Sequence, residues 1–162
     1  PLMAIQAIFR LLLAMKVMEK MITQLNEFLS DLEMFNIKLQ NYHWNVVGKG
    51  FFTTHEKLEE YYNEIREQID EIAEHILILG YQPVGTMKEF IEKSSIQEAG
   101  NEKIKTLNIV EELIHDLQIL KQKSIQIKQE AENKCNYETS TLMDDYLTNY
   151  SKKIWMLNET LK

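Results

Sequence analysis

The feature that most constrains the fold is the near absence of interruptions to a helical pattern of apolar residues. The chain has 162 residues but only 5 Gly and 2 Pro, too few for the many turns that a β-rich fold needs. Between about Glu19 and Val47, apolar residues recur three and four apart: Leu25, Phe28, Leu29, Leu32, Phe35 and Leu39. This is the signature of one buried helical stripe. Gly48 and Gly50 end it. A second helix is predicted from about Thr53 to Leu79, with Thr53 and Glu56 as its capping box, and Gly80 and Pro83 as its stop. A third runs from Asn101 to about Asn133, with Ile104, Leu107, Val110, Leu113/Ile114, Leu117 and Leu120/Ile119 on its apolar side. A fourth runs from Thr139 or Ser140 to Leu161, with Tyr146, Tyr150, Trp155 and Leu157 on its apolar side. Thr86 to Lys93 reads as a short helix inside the long connection between helices two and three.

Four long amphipathic helices of similar length predict an all-α four-helix bundle. The connection from Gly80 to Gly100 is long enough to cross the length of the bundle. Residues 1–17 read as an apolar N-terminal extension of uncertain origin, and residues 18–162 as the folded domain. The extension is apolar but carries Arg10 and is too short for a membrane span of about 20 residues. Gln6, Arg10, Lys16 and Lys20 share one side, so it admits an amphipathic helix that packs or self-associates; a leader outside the fold is the alternative, with Met18 as the expected native start. The formal net charge of −7 disfavours polyanion binding and favours cations. Cys135 is the single cysteine, so no internal disulfide framework forms, which fits a cytoplasmic location.

The second helix carries the candidate chemistry. His55/Glu59 and Asp70/Glu74 are two pairs with i, i+4 spacing, and residues four apart share a helix face. Glu59 and Asp70 lie about 16 Å apart along a helix, whereas metal–ligand bonds are about 2 Å long. One helix therefore cannot close both pairs on one ion. A second copy laid antiparallel would bring each His55/Glu59 pair to the other's Asp70/Glu74 pair. His43, near the end of the first helix, is returned towards His55 by the Gly48–Gly50 turn. Two imidazoles and three carboxylates suit Fe(II), Mn(II) or Zn(II). Spacing alone leaves an ordinary solvated acidic face open. Glu112 and His115 form one Glu-x-x-His pair, but no second exists, so an intrachain di-iron site of the usual bundle type is not expected.

These residues resemble a known family. Asn41-Tyr42-His43-Trp44-Asn45, Gly48, Phe51-Phe52, His55-Glu56-Lys57 and Asp70-Glu71-Ile72-Ala73-Glu74, followed by Leu79-Gly80 and Pro83, are similar to the Dps family, the ferritin-like miniferritins. The pattern HW-x10-H-x3-(D/E)-x10-D-x3-E is matched throughout, and the likeness covers roughly residues 19–162. The resemblance implies a ferritin-like bundle, twelve subunits in a hollow shell, and a ferroxidase site holding two irons at each two-fold interface. His43, His55 and Glu59 would come from one subunit, Asp70 and Glu74 from its partner. It implies oxidation of Fe(II), preferably by hydrogen peroxide, and storage of ferric mineral, protecting against oxidative damage. Trp44, Tyr61 and Tyr62 are candidate electron donors, with plain packing as the alternative.

The chain departs from that pattern in three places. Many relatives carry a Lys-rich N-terminal tail that neutralises DNA phosphates; the apolar extension has few cations, which weighs against direct DNA binding. The alternative function, a DNA-compacting protein of the same fold with little ferroxidase activity, lacks that tail. A third reading, a helical adhesion or signalling module, would leave the acids as surface only. Asn136 and Thr141 stand where iron-entry acids are common, with Glu138, Asp144 and Asp145 nearby, although acids also favour a helix start on their own. Glu59 stands where many relatives carry Asp.

Overall fold

The computed structural model describes residues 2–162, with the side chains of Leu2 and Val17 left aside. Helix α1 spans Leu2–Asn45, α2 Phe51–Ile78, α3 Met87–Lys93, α4 Thr106–Asn133 and α5 Tyr137–Thr160. Two-residue strands β1 (Val46–Val47) and β2 (Ile104–Lys105) precede α2 and α4. They pair in parallel, Val46 with Ile104 and Val47 with Lys105. This small ladder sets the direction of the bundle. Both α2 and α4 start at the end where α1 stops, so the connection between them must return the full length of α2, about 42 Å at 1.5 Å per residue.

The apolar stripes meet at the centre. Leu25, Phe28, Leu32, Phe35 and Leu39 of α1 face Leu58, Ile65, Ile72 and Ile76 of α2, and Ile109, Leu113, Leu117 and Leu120 of α4 close the other side; all are buried. Burial of each such side chain contributes about 1.5–3 kcal/mol. Leu107 and Trp155 do not follow the expected stripe: both are exposed. The seam between α2 and α5 is polar. Tyr146 Oη donates to Glu71 at 2.5 Å, Tyr150 Oη to Gln68 at 2.6 Å, and Lys153 Nζ to Glu64 at 2.6 Å. His75 is buried there, its Nε2 2.7 Å from Thr139 Oγ1.

Buried charges hold the long connection and the α1–α4 seam. Asp31, fully buried, accepts from Ser94 Oγ at 2.9 Å and from the Ser95 N–H at 2.5 Å, and pairs with Lys123 at 2.5 Å. The chain after α3 is thereby tied to α1 and α4 together. Asn26 Oδ1 accepts from the Val84 N–H at 2.8 Å, which ties the chain before α3. Lys38 is buried and bridges Asp116 at 2.8 Å and Glu112 at 2.9 Å.

Several boundaries differ from expectation, α5 among them, which starts at Tyr137. The capping box sits not at Thr53/Glu56 but at Thr86/Glu89, on the short helix α3. Helix α2 starts earlier, at Phe51, behind Gly50 in the left-handed conformation (φ 82°) with no side-chain cap. Helix α4 starts later than Asn101, because Ile104 and Lys105 are drawn into the ladder. At the N-terminus, α1 passes through residues 17 and 18 without a break, but burial starts only at Met21. Residues 3–16 are exposed throughout, including Met3, Phe9 and Leu11. They project roughly 21 Å beyond the packed part of the helix.

Because residues 3–16 bury nothing in this chain, removing residues 1–17 should leave the melting temperature within about 2 °C, a shift smaller than 1 kcal/mol would give; calorimetry of both forms checks this. A larger fall would mean that the extension packs. His75 gives a pH dependence. Burial holds its imidazole below the ordinary 6.5, against the opposing pull of Glu138 and Glu71. The unfolded chain therefore takes up this proton first. The stability contributed is fully present above pH 6.5 and is lost as the pH falls through the lowered folded-state value. His75→Gln should flatten the acid side of a melting temperature–pH profile measured without metal.

Candidate metal centre

The end of α1, the β1 turn and the start of α2 build the first half of the centre. Gly48 and Gly50 both have positive φ, 88° and 82°, a region that side-chain-bearing residues adopt only with strain. These two glycines reverse the chain within five residues. The reversal lays the ring of His43 on that of His55, with centroids 3.7 Å apart and planes 18° from parallel.

Each ring is held by the other residue's backbone. His43 Nδ1 lies 2.8 Å from the His55 carbonyl oxygen, and His55 Nδ1 lies 2.8 Å from the His43 carbonyl oxygen. A carbonyl only accepts, so each Nδ1 must carry the proton and donate. In the neutral ring the lone pair is then on Nε2. Both imidazoles are thus fixed as Nε2 donors to an electrophile, the same backbone-carbonyl support that metal-bound histidines commonly have. Phe51 stacks on His55 at 5.2 Å, and Tyr62 meets His43 edge-on at 5.5 Å.

The acids of α2 divide into two groups. Glu60 pairs with Lys57, Glu64 with Lys153 and Asn149, and Glu71 with the Tyr146 hydroxyl. Glu56, Glu59, Glu67, Asp70 and Glu74 are exposed, and among the described residues none of them takes part in a side-chain hydrogen bond or ion pair. Asp70 and Glu74 line an open groove of about 750 Å³ between α2 and α5, together with Glu67, His75, Glu138 and Asp145. Among the described residues, no three His, Cys, Asp or Glu side chains gather closely enough to hold one ion. The chain by itself presents two half-sets of donors: His43, His55 and Glu59 at one end of α2, and Asp70 and Glu74 about three turns further along.

The other sequence candidates are used differently. Glu112 is turned to Lys38, and the His115 side chain is exposed, so the single Glu-x-x-His pair does not form a centre. Of the three aromatic candidates, Tyr62 is the one packed on the imidazoles. Tyr61 is buried, with Lys153 over its ring at 4.9 Å, and burial with Glu64 and Glu60 nearby pushes its phenol up to about 12. Trp44 is exposed. Asn136 caps α5 by accepting from the Thr139 N–H, and Asp144 pairs with Lys128, whereas Glu138 and Asp145 stay on the groove. The mutual Nδ1 lock itself was not foreseen; the sequence holds its signal, two histidines spaced around a Gly-x-Gly turn.

The chain is similar to known proteins across most of its length. A Ferritin-like domain family model matches residues 22–162. The chain is 34% identical over 138 residues to the DNA protection during starvation protein of Listeria monocytogenes, covering 85% of this chain and 88% of that protein. It is 40% identical over 143 residues to DNA protection during starvation protein 2 of Bacillus anthracis, covering 88% and 97%. Among solved structures, antigen TpF1 from Treponema pallidum superposes with a TM-score of 0.88 at 34% identity, covering 91% of this chain and 94% of that one. The Dps protein of Vibrio cholerae O1, described as a ferritin-like diiron-carboxylate protein, gives 0.87 at 33%, covering 91% and 92%. No helix among the described residues is long and apolar enough to cross a membrane. By sequence match across most of its length and by the superposition of its bundle, the chain belongs to the Dps family of ferritin-like proteins.

Proposed function

We propose that this protein is a ferroxidase and iron store whose oxidation site is completed by a second copy of the chain. The observation that carries the reading is the locked imidazole pair, His43 at the end of α1 and His55 at the start of α2, with both Nε2 lone pairs free, while Asp70 and Glu74 lie too far along α2 to join it. Membership of a ferritin-like family, with a diiron-carboxylate relative at 33% identity, supports iron storage and protection in general. An antiparallel copy of α2 supplies Asp70 and Glu74 to His43, His55 and Glu59, and the two-fold axis generates two such sites per pair. By likeness to the family, twelve chains close into a shell and each site takes two iron ions as substrate.

The residues divide the work. The neutral imidazoles hold Fe(II), for which nitrogen donors are well suited. The carboxylates of Glu59, Asp70 and Glu74 are hard, anionic oxygen donors, so they favour the more highly charged ferric product and assist electron loss. Two Fe(II) each give one electron to one hydrogen peroxide; its O–O bond breaks, and with two protons it leaves as two waters. No free hydroxyl radical is released when both electrons are delivered together. Ferric ions then pass to mineral inside the shell. The acids on the groove, Glu138 and Asp145, supply negative potential for attracting Fe(II).

The net charge of −7 argues for protection through iron and peroxide removal rather than through DNA compaction. The single cysteine, free and exposed, fits a reducing cytoplasm. Fe(II) oxidation by peroxide should fall by about 10- to 100-fold, the scale of disrupted metal-site support, in His43→Ala and in Asp70→Ala. Size analysis should show both variants assembled as the parent is. Unchanged rates in both variants would dismiss this site.

A further inference from the structure

Arg66 stands on the donor stripe of α2 itself. It lies four residues before Asp70 and seven after Glu59, and residues so spaced share one helix face. Four free carboxylates surround it in sequence: Glu59, Glu67, Asp70 and Glu74. Among the described residues, its guanidinium pairs with none of them. It lies instead over the ring of Tyr62, 5.0 Å from the centroid, and Tyr62 meets His43 at 5.5 Å. The cation is thus held no more than about 11 Å from the imidazole pair, a distance at which charges still act on each other in low salt.

We infer that Arg66 is the built-in counter-charge of the shared site, neutralising its carboxylates when no metal is bound and lowering the affinity for divalent cations. This rests on the proposed two-copy site. Once the second copy is in place, each site has an arginine on both sides. One lies beside His43, through Tyr62. The other lies one turn from the Asp70 that the partner contributes. An empty site would otherwise gather three carboxylates without compensation, which opposes assembly. The same charge repels an incoming dication, so the site releases metal more readily than its donor set alone would allow. Arg66 is therefore a positioning and affinity-setting residue, not a ligand.

The test uses the assembled protein and Zn(II), which binds mixed nitrogen and oxygen donors without redox chemistry. Zinc affinity is measured by calorimetry in the parent, Arg66→Gln, Arg66→Lys and His43→Ala, with assembly followed by size. Arg66→Gln should bind zinc about 3- to 30-fold more tightly at low ionic strength, a Coulombic gain. The gain should shrink below about twofold near 1 M salt, where the Debye length is about 3 Å. Arg66→Lys, which keeps the charge, should match the parent. Equal or weaker zinc binding in Arg66→Gln, or a salt-independent change shared by Arg66→Lys, would overturn this role while His43→Ala still weakens binding. Parent-like binding in His43→Ala would instead overturn the shared site on which the inference depends.

Discussion

Everything at the candidate centre depends on the reciprocal hydrogen bonds between two histidines and each other's backbone. Each Nδ1–H is committed to a carbonyl at 2.8 Å, so the tautomer of both rings is decided by the fold. This lock needs the chain to reverse within a few residues, and the reversal needs two left-handed positions, which glycine supplies at 48 and 50. The β1–β2 ladder then ties the same corner to the start of α4. A local backbone constraint is thus converted into two imidazoles whose Nε2 lone pairs are left unengaged.

Helix α2 acts as a spacer as well as a scaffold. Its rise separates the two carboxylate-bearing ends of the candidate donor set by about 16 Å, so in the proposed function a second copy has to complete the site. Meanwhile the acids that face α5 are consumed by Lys153, Tyr146 and Asn149, and they hold the bundle together. The same helix also carries exposed acids with no such partner among the described residues, Glu56, Glu59, Glu67, Asp70 and Glu74. Lys38 occupies the seam of α1 and α4 with Asp116 and Glu112.

Much of the fold was legible because it rests on period. The apolar residues of α1 and α4 fall three and four apart, and their burial follows directly. The placing of His55 with Glu59 and of Asp70 with Glu74 was legible for the same reason: i, i+4 spacing fixes a face whatever the tertiary structure. The start of α2 was not. Thr53 and Glu56 have the composition of a capping box, but the tight turn at Gly50 puts them inside the helix. The start of α4 was hidden because pairing with β1, far away in sequence, draws Ile104 and Lys105 into strand geometry. Lys38 and Asp31 are charged residues on buried faces, and only partners 60 or more residues away explain them. Leu107 and Trp155 fit the apolar period yet lie exposed, since period reports a face and not what covers it.

The central claim is that two chains share each site, and complementation between defective chains tests it most directly. His43→Ala and Asp70→Ala chains are co-expressed, and mixed oligomers carrying both are isolated by separate affinity tags. The account predicts that mixing restores Fe(II) oxidation, with about a quarter of the sites intact for random two-fold pairing, although each variant alone is about 10- to 100-fold slower than the parent. Mixed oligomers no more active than either parent variant would contradict it, because donors confined to one chain cannot rescue one another.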